Sequence, residues 1–232
     1  MGVMALTDQA IERIKAMIVS GELKPGDRLP PEKELSERLG LSRNSLREAV
    51  KALEVIRVLS VRRGDGTYVT SLEPALLLEA ISFMVDLHDD TSLLEVFQVR
   101  RVLESHATAA AARRRVAADL AELTAEVDGI APTTDVEALV AHDLRFHARV
   151  AAISGNAYLA SLLDSLSSAT VRARVWRGVT EAGAVTRTLA EHRAIVEAIE
   201  DGDADLAAAL ATAHVAGVER WLRRAAGISE GD

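Results

Sequence analysis

The chain has no cysteine among its 232 residues. Disulfides and thiolate metal sites are thereby excluded, and a reducing cytoplasm is the natural compartment. Aromatic residues make up only 3% of a chain that is 49% hydrophobic and dominated by Ala and Leu, which points to helix packing rather than sheet. No basic segment followed by an apolar core opens the chain, so no signal peptide is expected. Nor does any apolar run approach a membrane span. The longest candidate, residues 75–87, is interrupted by Glu79 and Asp86, and no membrane partner is expected.

The formal charge of −8 disfavours a nucleic-acid partner until the chain is divided. Residues 1–71 carry 12 Lys and Arg against 10 Asp and Glu, whereas residues 72–232 carry 15 against 25. A slightly basic head on an acidic body suits local contact with DNA without diffuse attraction to polyanions.

Within the head, Thr7 or Asp8 can cap a first helix whose Ile11, Ile14 and Ile18 form an apolar stripe. Lys24-Pro25-Gly26-Asp27 has strong turn chemistry. A second helix is expected from Pro31 to a stop at Gly40, and a third after the N-cap Ser42. In the third helix Leu46, Ala49, Val50 and Leu53 face inward, while Arg43, Asn44 and Arg47 face out. Arg43 and Arg47 are one turn apart, so two guanidinium groups project from the start of one helix, the geometry a DNA major groove accepts. An alternating segment over 58–63 turns at Gly64-Asp65-Gly66 and returns through Thr67-Tyr68-Val69, which predicts a two-stranded hairpin with a basic tip. Taken alone, the two arginines could be solvated surface charges. Three helices with a basic hairpin read instead as a winged helix-turn-helix.

Gly26-x-Arg28-Leu29-Pro30, Glu32-x-Glu34-Leu35, Ser42-Arg43-x-x-Leu46-Arg47-Glu48-Ala49 and Gly64-x-Gly66-Thr67-x-Val69 resemble the GntR family of bacterial transcription regulators across residues 8–70. The resemblance implies that Arg43 and Arg47 contact bases and phosphates, with Asn44 and Ser45 adding contacts at the helix start. It also implies that Lys33 meets the DNA from the second helix, and that Arg63 and Gly64 enter the minor groove. Arg57 stands where the family usually has Gly. A left-handed cap is costly for Arg, so the third helix is expected to end differently and the wing orientation to depend on it.

Composition changes over Ser71–Pro74, dividing an expected DNA-binding domain of residues 1–71 from an all-helical domain of residues 72–232. Candidate helices there are 75–87, 92–114, 116–128, 135–153, 156–178, 184–201 and 203–226. The fold class expected is mainly α, with a winged head and an antiparallel helical bundle behind it. The apolar stripes Leu76, Leu77, Leu78, Ile81 and Leu159, Leu162, Leu163, Leu166 are core, with part available for a dimer seam.

Asp143 and His147 are spaced i,i+4 on one candidate helix, while His192 and His214 lie on the last two. Such an Asp/His₃ set suits a divalent transition metal such as Zn²⁺, Ni²⁺ or Mn²⁺, leaving positions for water or ligand oxygens. By spacing alone a D-x-x-x-H pair is more often a surface pair. His142 lies about 100° around the helix from Asp143 and points elsewhere, and His88 and His106 read as solvated or packed.

Asp143-x-x-Phe146-His147, Ser154-Gly155-Asn156, Glu191-His192-x-x-Ile195, Ala198-Ile199-x-x-Gly202-Asp203 and His214 resemble the ligand-binding domain of the FadR subfamily within GntR. In metal-binding members of that group, the Asp and three His hold the ion inside the bundle. Val99-Arg100-Arg101-Val102-Leu103-Glu104 resembles the start of the same domain, which puts Arg100 in the slot for an acidic effector, or else in a pair with an acidic residue on a neighbouring helix. Gln98 replaces a frequent Glu and removes one internal partner for Arg100. Asn156 either caps a helix or touches the effector. The resemblance implies a homodimer on a palindromic double-stranded operator, controlled by a small carboxylate such as a hydroxy acid, sugar acid or dicarboxylate. A repressor is expected and an enzyme is not. A direct metal sensor and a metal-dependent hydrolase are the alternatives, the latter lacking a well-placed general base.

Overall fold

The computed structural model of the chain describes residues 2–76 and 90–227, with side chains described from Leu6 and from Leu93 in the two stretches. Two compact units divide it, Met1–Leu77 and Leu78–Asp232. The candidate helix over 75–87 lies largely outside the described residues, as do Leu77, Leu78, Ile81 and His88.

The first unit contains α1 (Gly2–Val19), α2 (Glu32–Leu39), α3 (Arg43–Val55), β1 (Leu59–Arg62) and β2 (Gly66–Val69). The first helix starts at Gly2, so Thr7 and Asp8 lie inside it rather than capping it. Met4, Ala5 and Leu6 offer no breaker and favour helix, so the turn extends through them. Ile14 and Met17 of α1, Leu35 and Leu39 of α2, and Leu46 and Leu53 of α3 close over Leu59 and Val69 of the hairpin in one buried cluster. Gly40 ends α2 in the left-handed region, φ 64°, and Ser42 caps α3 by accepting the Ser45 N–H at 3.0 Å.

The end of α3 corrects an expectation. Arg57 takes the left-handed conformation, φ 59°, with its N–H on Glu54 O at 3.0 Å and the Val58 N–H on Leu53 O at 2.9 Å. These two bonds form the Schellman arrangement that Gly ordinarily serves. The helix ends as a Gly would end it, despite the cost to an L residue.

The strands pair antiparallel, Leu59 opposite Val69 and Arg62 opposite Gly66, so Arg63, Gly64 and Asp65 form the tip. The segment before α2 steadies the hairpin: Leu29 N–H reaches Thr67 O at 2.8 Å, Val69 N–H reaches Asp27 O at 2.9 Å, and the Arg28 guanidinium bonds Asp65 O.

The second unit's described elements are helices throughout: α4 (Asp90–Arg114), α5 (Ala117–Asp128), α6 (Val136–Ile153), α7 (Ala157–Ala169), α8 (Val171–Thr180), α9 (Ala184–Asp201) and α10 (Ala204–Ala225). α10 lies along α4, and α6 touches α4, α5, α7, α8 and α9. The candidate helix 156–178 is in fact two. Thr170 breaks it, its hydroxyl turned back to Ser167 O at 3.0 Å and also accepting from Arg100 Nη1 at 2.8 Å. No Gly or Pro marks the spot; a Ser/Thr hydroxyl competing for backbone groups does the work. Gly178 lets α8 come close to α6, since a Cβ there would meet Val136 Cγ1 at 2.6 Å.

Candidate functional site

The head places Arg43, Asn44 and Arg47 on the exposed side of the first turns of α3, with Lys33 exposed on α2 and Arg63 and Gly64 exposed at the hairpin tip. Arg47 is held by Glu32, Nε to Oε1 at 2.7 Å. Arg62 stacks over the Tyr68 ring at 4.2 Å, which leaves Arg63 as the outward cation of the tip. Ser45 differs from expectation. It is 4% exposed and its hydroxyl bonds Ser42 Oγ at 2.9 Å, because the cap at the start of α3 turns it inward, so its side chain belongs to the cap.

In the helical unit, α6 points Asp143 and His147 inward on consecutive turns, aligned by the Asp135 N-cap, which accepts the Ala138 N–H at 2.7 Å. α9 brings His192 and α10 brings His214. The four ligating atoms lie within 4.8 Å of one another. From Asp143 Oδ1 the distances are 3.3 Å to His192 Nε2, 3.6 Å to His147 Nε2 and 3.8 Å to His214 Nε2. His147 and His214 Nε2 are 3.3 Å apart. Donors about 2.1 Å from one small ion in tetrahedral array stand about 3.4 Å apart, so the set fits a divalent ion. Phe146 stacks on His192, ring centres 3.9 Å apart and 13° from parallel, which fixes that imidazole's plane.

The far side of each ring is also occupied. His147 Nδ1 meets Glu104 Oε2 at 2.8 Å, and His214 Nδ1 meets Glu191 Oε2 at 2.7 Å. A carboxylate only accepts, so each Nδ1 carries the proton and each Nε2 offers its lone pair to the centre. His192 Nε2 is buried without a hydrogen-bond partner, a cost that a bound cation removes.

Electrostatics favour the same assignment. Burial pushes the Asp143 carboxyl up, but the Arg174 guanidinium beside it prevails and holds it well below the usual range. Glu104 is likewise raised by burial and then held far below normal by Arg100. Burial lowers His192 to about 3, leaving it neutral. His147 is raised: burial opposes its charge, but Glu104 and Asp143 outweigh that. At that ring an ion therefore competes with a proton for Nε2.

Beside the four lies a cavity lined by Arg100, Arg174, Arg177, Thr188, Leu139 and Val215 among others, with about 30 Å³ in which the centre of a water molecule can move. Arg100, 2% exposed, spends Nε on Glu104 Oε1 at 2.8 Å and Nη1 on Thr170. Its acidic partner, Glu104, lies one turn along its own helix rather than on a neighbouring helix as expected. Arg174 is different. Nη1 stands 2.8 Å from Asp143 Oδ2, yet both terminal nitrogens are buried without a hydrogen-bond partner. Burial, then the charge of Arg100, lower it only to about 10, so it stays cationic. Arg177 turns its Nε to Glu181 Oε2 at 2.6 Å. Asn156 is exposed and accepts the Leu159 N–H at 3.1 Å; it caps α7 and does not line the cavity.

Sequence reasoning gave no role to Arg174, Arg177, Glu104 or Glu191, and set His142 aside. Two arginines at i,i+3 were the available signal for the first pair, but a surface face reads identically. His142 turns away from the centre as expected, yet it is fully buried, with Nε2 3.0 Å from His192 Nδ1. His106 is exposed.

Residues 6–69 match the family described as bacterial regulatory proteins, gntR family, and residues 95–217 match the FCD domain. The chain is 30% identical over 212 residues to the HTH-type transcriptional regulator LutR of Bacillus subtilis, covering 89% of this chain and 96% of that one. It is also 30% identical over 223 residues to the galactonate operon transcriptional repressor of Escherichia coli, covering 94% and 96%. Among solved structures, a GntR protein of Streptococcus agalactiae aligns with a TM-score of 0.72 at 26% identity, covering 93% of this chain and 99% of that one.

Proposed function

The chain belongs to the gntR family of bacterial regulatory proteins, DNA-binding transcription regulators rather than enzymes, and carries an FCD domain; from that premise we propose a repressor whose operator affinity is set by a small carboxylate bound beside a metal ion. The ion, Zn²⁺, Ni²⁺ or Mn²⁺, would be held by Asp143, His147, His192 and His214. When bound, it supplies a fixed positive charge to which carboxylate and hydroxyl oxygens can be drawn. The carrying observation is the convergence of three imidazole Nε2 atoms on Asp143 Oδ1 within 3.8 Å, two of them backed by carboxylates.

Arg174 is the better anchor for the effector than Arg100, because beyond its ion pair with Asp143 its terminal nitrogens have no hydrogen-bond partner, while both of Arg100's are engaged by Glu104 and Thr170. A guanidinium takes a carboxylate by two parallel bonds. One relative is named for a galactonate operon, and galactonate is a 2-hydroxy acid, which agrees with a cationic, metal-bearing cavity.

In this reading residues 1–71 bind DNA and residues 72–232 bind effector and ion, in the cytoplasm. Arg43 and Arg47 enter the major groove with Asn44 beside them, Lys33 meets the backbone or a base edge, and the Arg63-Gly64 tip follows the minor groove. A two-fold homodimer matches a palindromic operator and multiplies the affinity of each head. The effector binds one of two arrangements of the helical unit better than the other, and so shifts their populations.

Metal analysis tests the premise of the pocket. The purified protein should hold one ion per chain, and His192→Ala should hold far less. Equal metal content in the two would refute the ligand set. A response of DNA binding to the ion alone, with no acid active, would make the protein a direct metal sensor instead.

A further inference from the structure

His142 joins the centre to a helix that supplies no ligand. Its Nδ1 lies 3.1 Å from Glu126 Oε1 on α5, and its Nε2 lies 3.0 Å from His192 Nδ1 on α9. Glu126 is itself clamped by Arg145, whose Nε stands 3.0 Å and 3.2 Å from the two carboxylate oxygens. We infer that His142 is a positioning residue for the metal centre: it fixes the tautomer and orientation of His192, so that His192 Nε2 faces the ion as a lone pair. The inference rests on the metal reading above and assigns a role to residues outside the ligand set.

The logic runs inward from the carboxylate. Glu126 can only accept, so His142 Nδ1 donates. In neutral imidazole the other nitrogen then accepts, and His192 Nδ1 must give it a proton. His192 Nε2 is left with its lone pair directed at Asp143 Oδ1 and the other two Nε2 atoms. His147 and His214 meet their carboxylates directly. No carboxylate reaches His192 Nδ1 among the described residues, and an imidazole bridges the gap to one on α5. Both rings are 0% exposed, so water does not substitute for the bridge.

A role as mere filling of the core beside Phe146 predicts something different, and substitutions separate the two. Leu at 142 fills the space with neither donor nor acceptor. Gln fills it with both, its carbonyl able to accept from His192 and its amide to donate to Glu126. The experiment measures Zn²⁺ affinity of the full chain by competition with a chromophoric chelator, alongside thermal unfolding of the metal-free proteins. His142→Leu should fold and bind Zn²⁺ about 10–100-fold more weakly, while His142→Gln should recover most of the affinity. In the metal-free wild type, ¹⁵N spectra of the imidazoles should show His192 protonated on Nδ1 alone, and in His142→Leu a mixture of tautomers. Glu126→Ala, near the surface, guards against a misfolded Leu variant and should weaken binding in the same direction. Wild-type affinity in folded His142→Leu, or a Gln variant as weak as Leu, would overturn the inference while leaving the metal centre standing. A wild-type chain that takes up no Zn²⁺ would instead refute the metal reading, and this inference with it.

Discussion

Arg57 sits at φ 59° with its backbone N–H and the one that follows both bonded into the end of α3. The left-handed conformation costs an L residue about 1–2 kcal/mol, and Gly gives back part of that through its more flexible unfolded chain. Arg57→Gly should therefore stabilise the head by about 1 kcal/mol, seen as a higher Tm; an unchanged or lower Tm would mean that the Arg57 side chain repays the strain. At Glu104 the burial cost is outweighed by Arg100, and the native carboxyl titrates below its unfolded value of about 4.3. Its contribution is therefore complete above that value and is lost as acid carries the pH down toward the depressed native one. Urea midpoints should fall between pH 5 and pH 3, and Glu104→Gln should flatten that fall while lowering the midpoint at pH 7, where it leaves Arg100 without its counter-charge. Equal slopes in the two proteins would place the acid sensitivity elsewhere.

Among the elements, α3 was readable from its start through its body because every level agreed: a Ser cap, apolar residues at helical spacing and a polar outer face; only its end at Arg57 was misread. Its role is tested by Arg43→Ala or Arg47→Ala, each of which should cost about 1–3 kcal/mol of operator binding, roughly 5- to 150-fold, with an unchanged Tm. Footprints identical to wild type would remove α3 from the interface. The α7–α8 junction was not readable. A break at Thr170 depends on its hydroxyl finding Ser167 O and Arg100 at once, and Arg100 arrives from 70 positions away. That break turns Arg174 and Arg177 into the cavity, so missing it meant missing both. Spacing alone put Asp143 and His147 on one face of a helix, and the resemblance to FadR-type domains added His192 and His214; the four side chains do converge. Their supports were not legible, because Glu104, Glu191 and Glu126 come from helices whose packing no local pattern specifies. Thr170→Val should cost about 1–3 kcal/mol by leaving a buried Arg100 donor unpaired, read from urea unfolding.

Over the whole molecule, the division of charge between head and body marks which end meets DNA, and the family match agrees with that. Both units build their cores mostly from aliphatic residues, with Phe97, Phe146 and Trp221 buried in the helical one; Phe146 also stacks on His192, and Trp176 stands edge-on to Trp221 at 5.0 Å. What links sensing to DNA binding is the central claim, and it needs a readout in which the ion, the acid and the operator are all present. Fluorescence anisotropy on the DNA upstream of the protein's own gene supplies one, using Zn²⁺-loaded wild type and His214→Ala across a panel of 2-hydroxy, sugar and dicarboxylic acids. At least one acid should weaken wild-type binding tenfold or more and leave the variant unmoved. A wild type indifferent to every acid, or a variant that responds as the wild type does, would contradict the account.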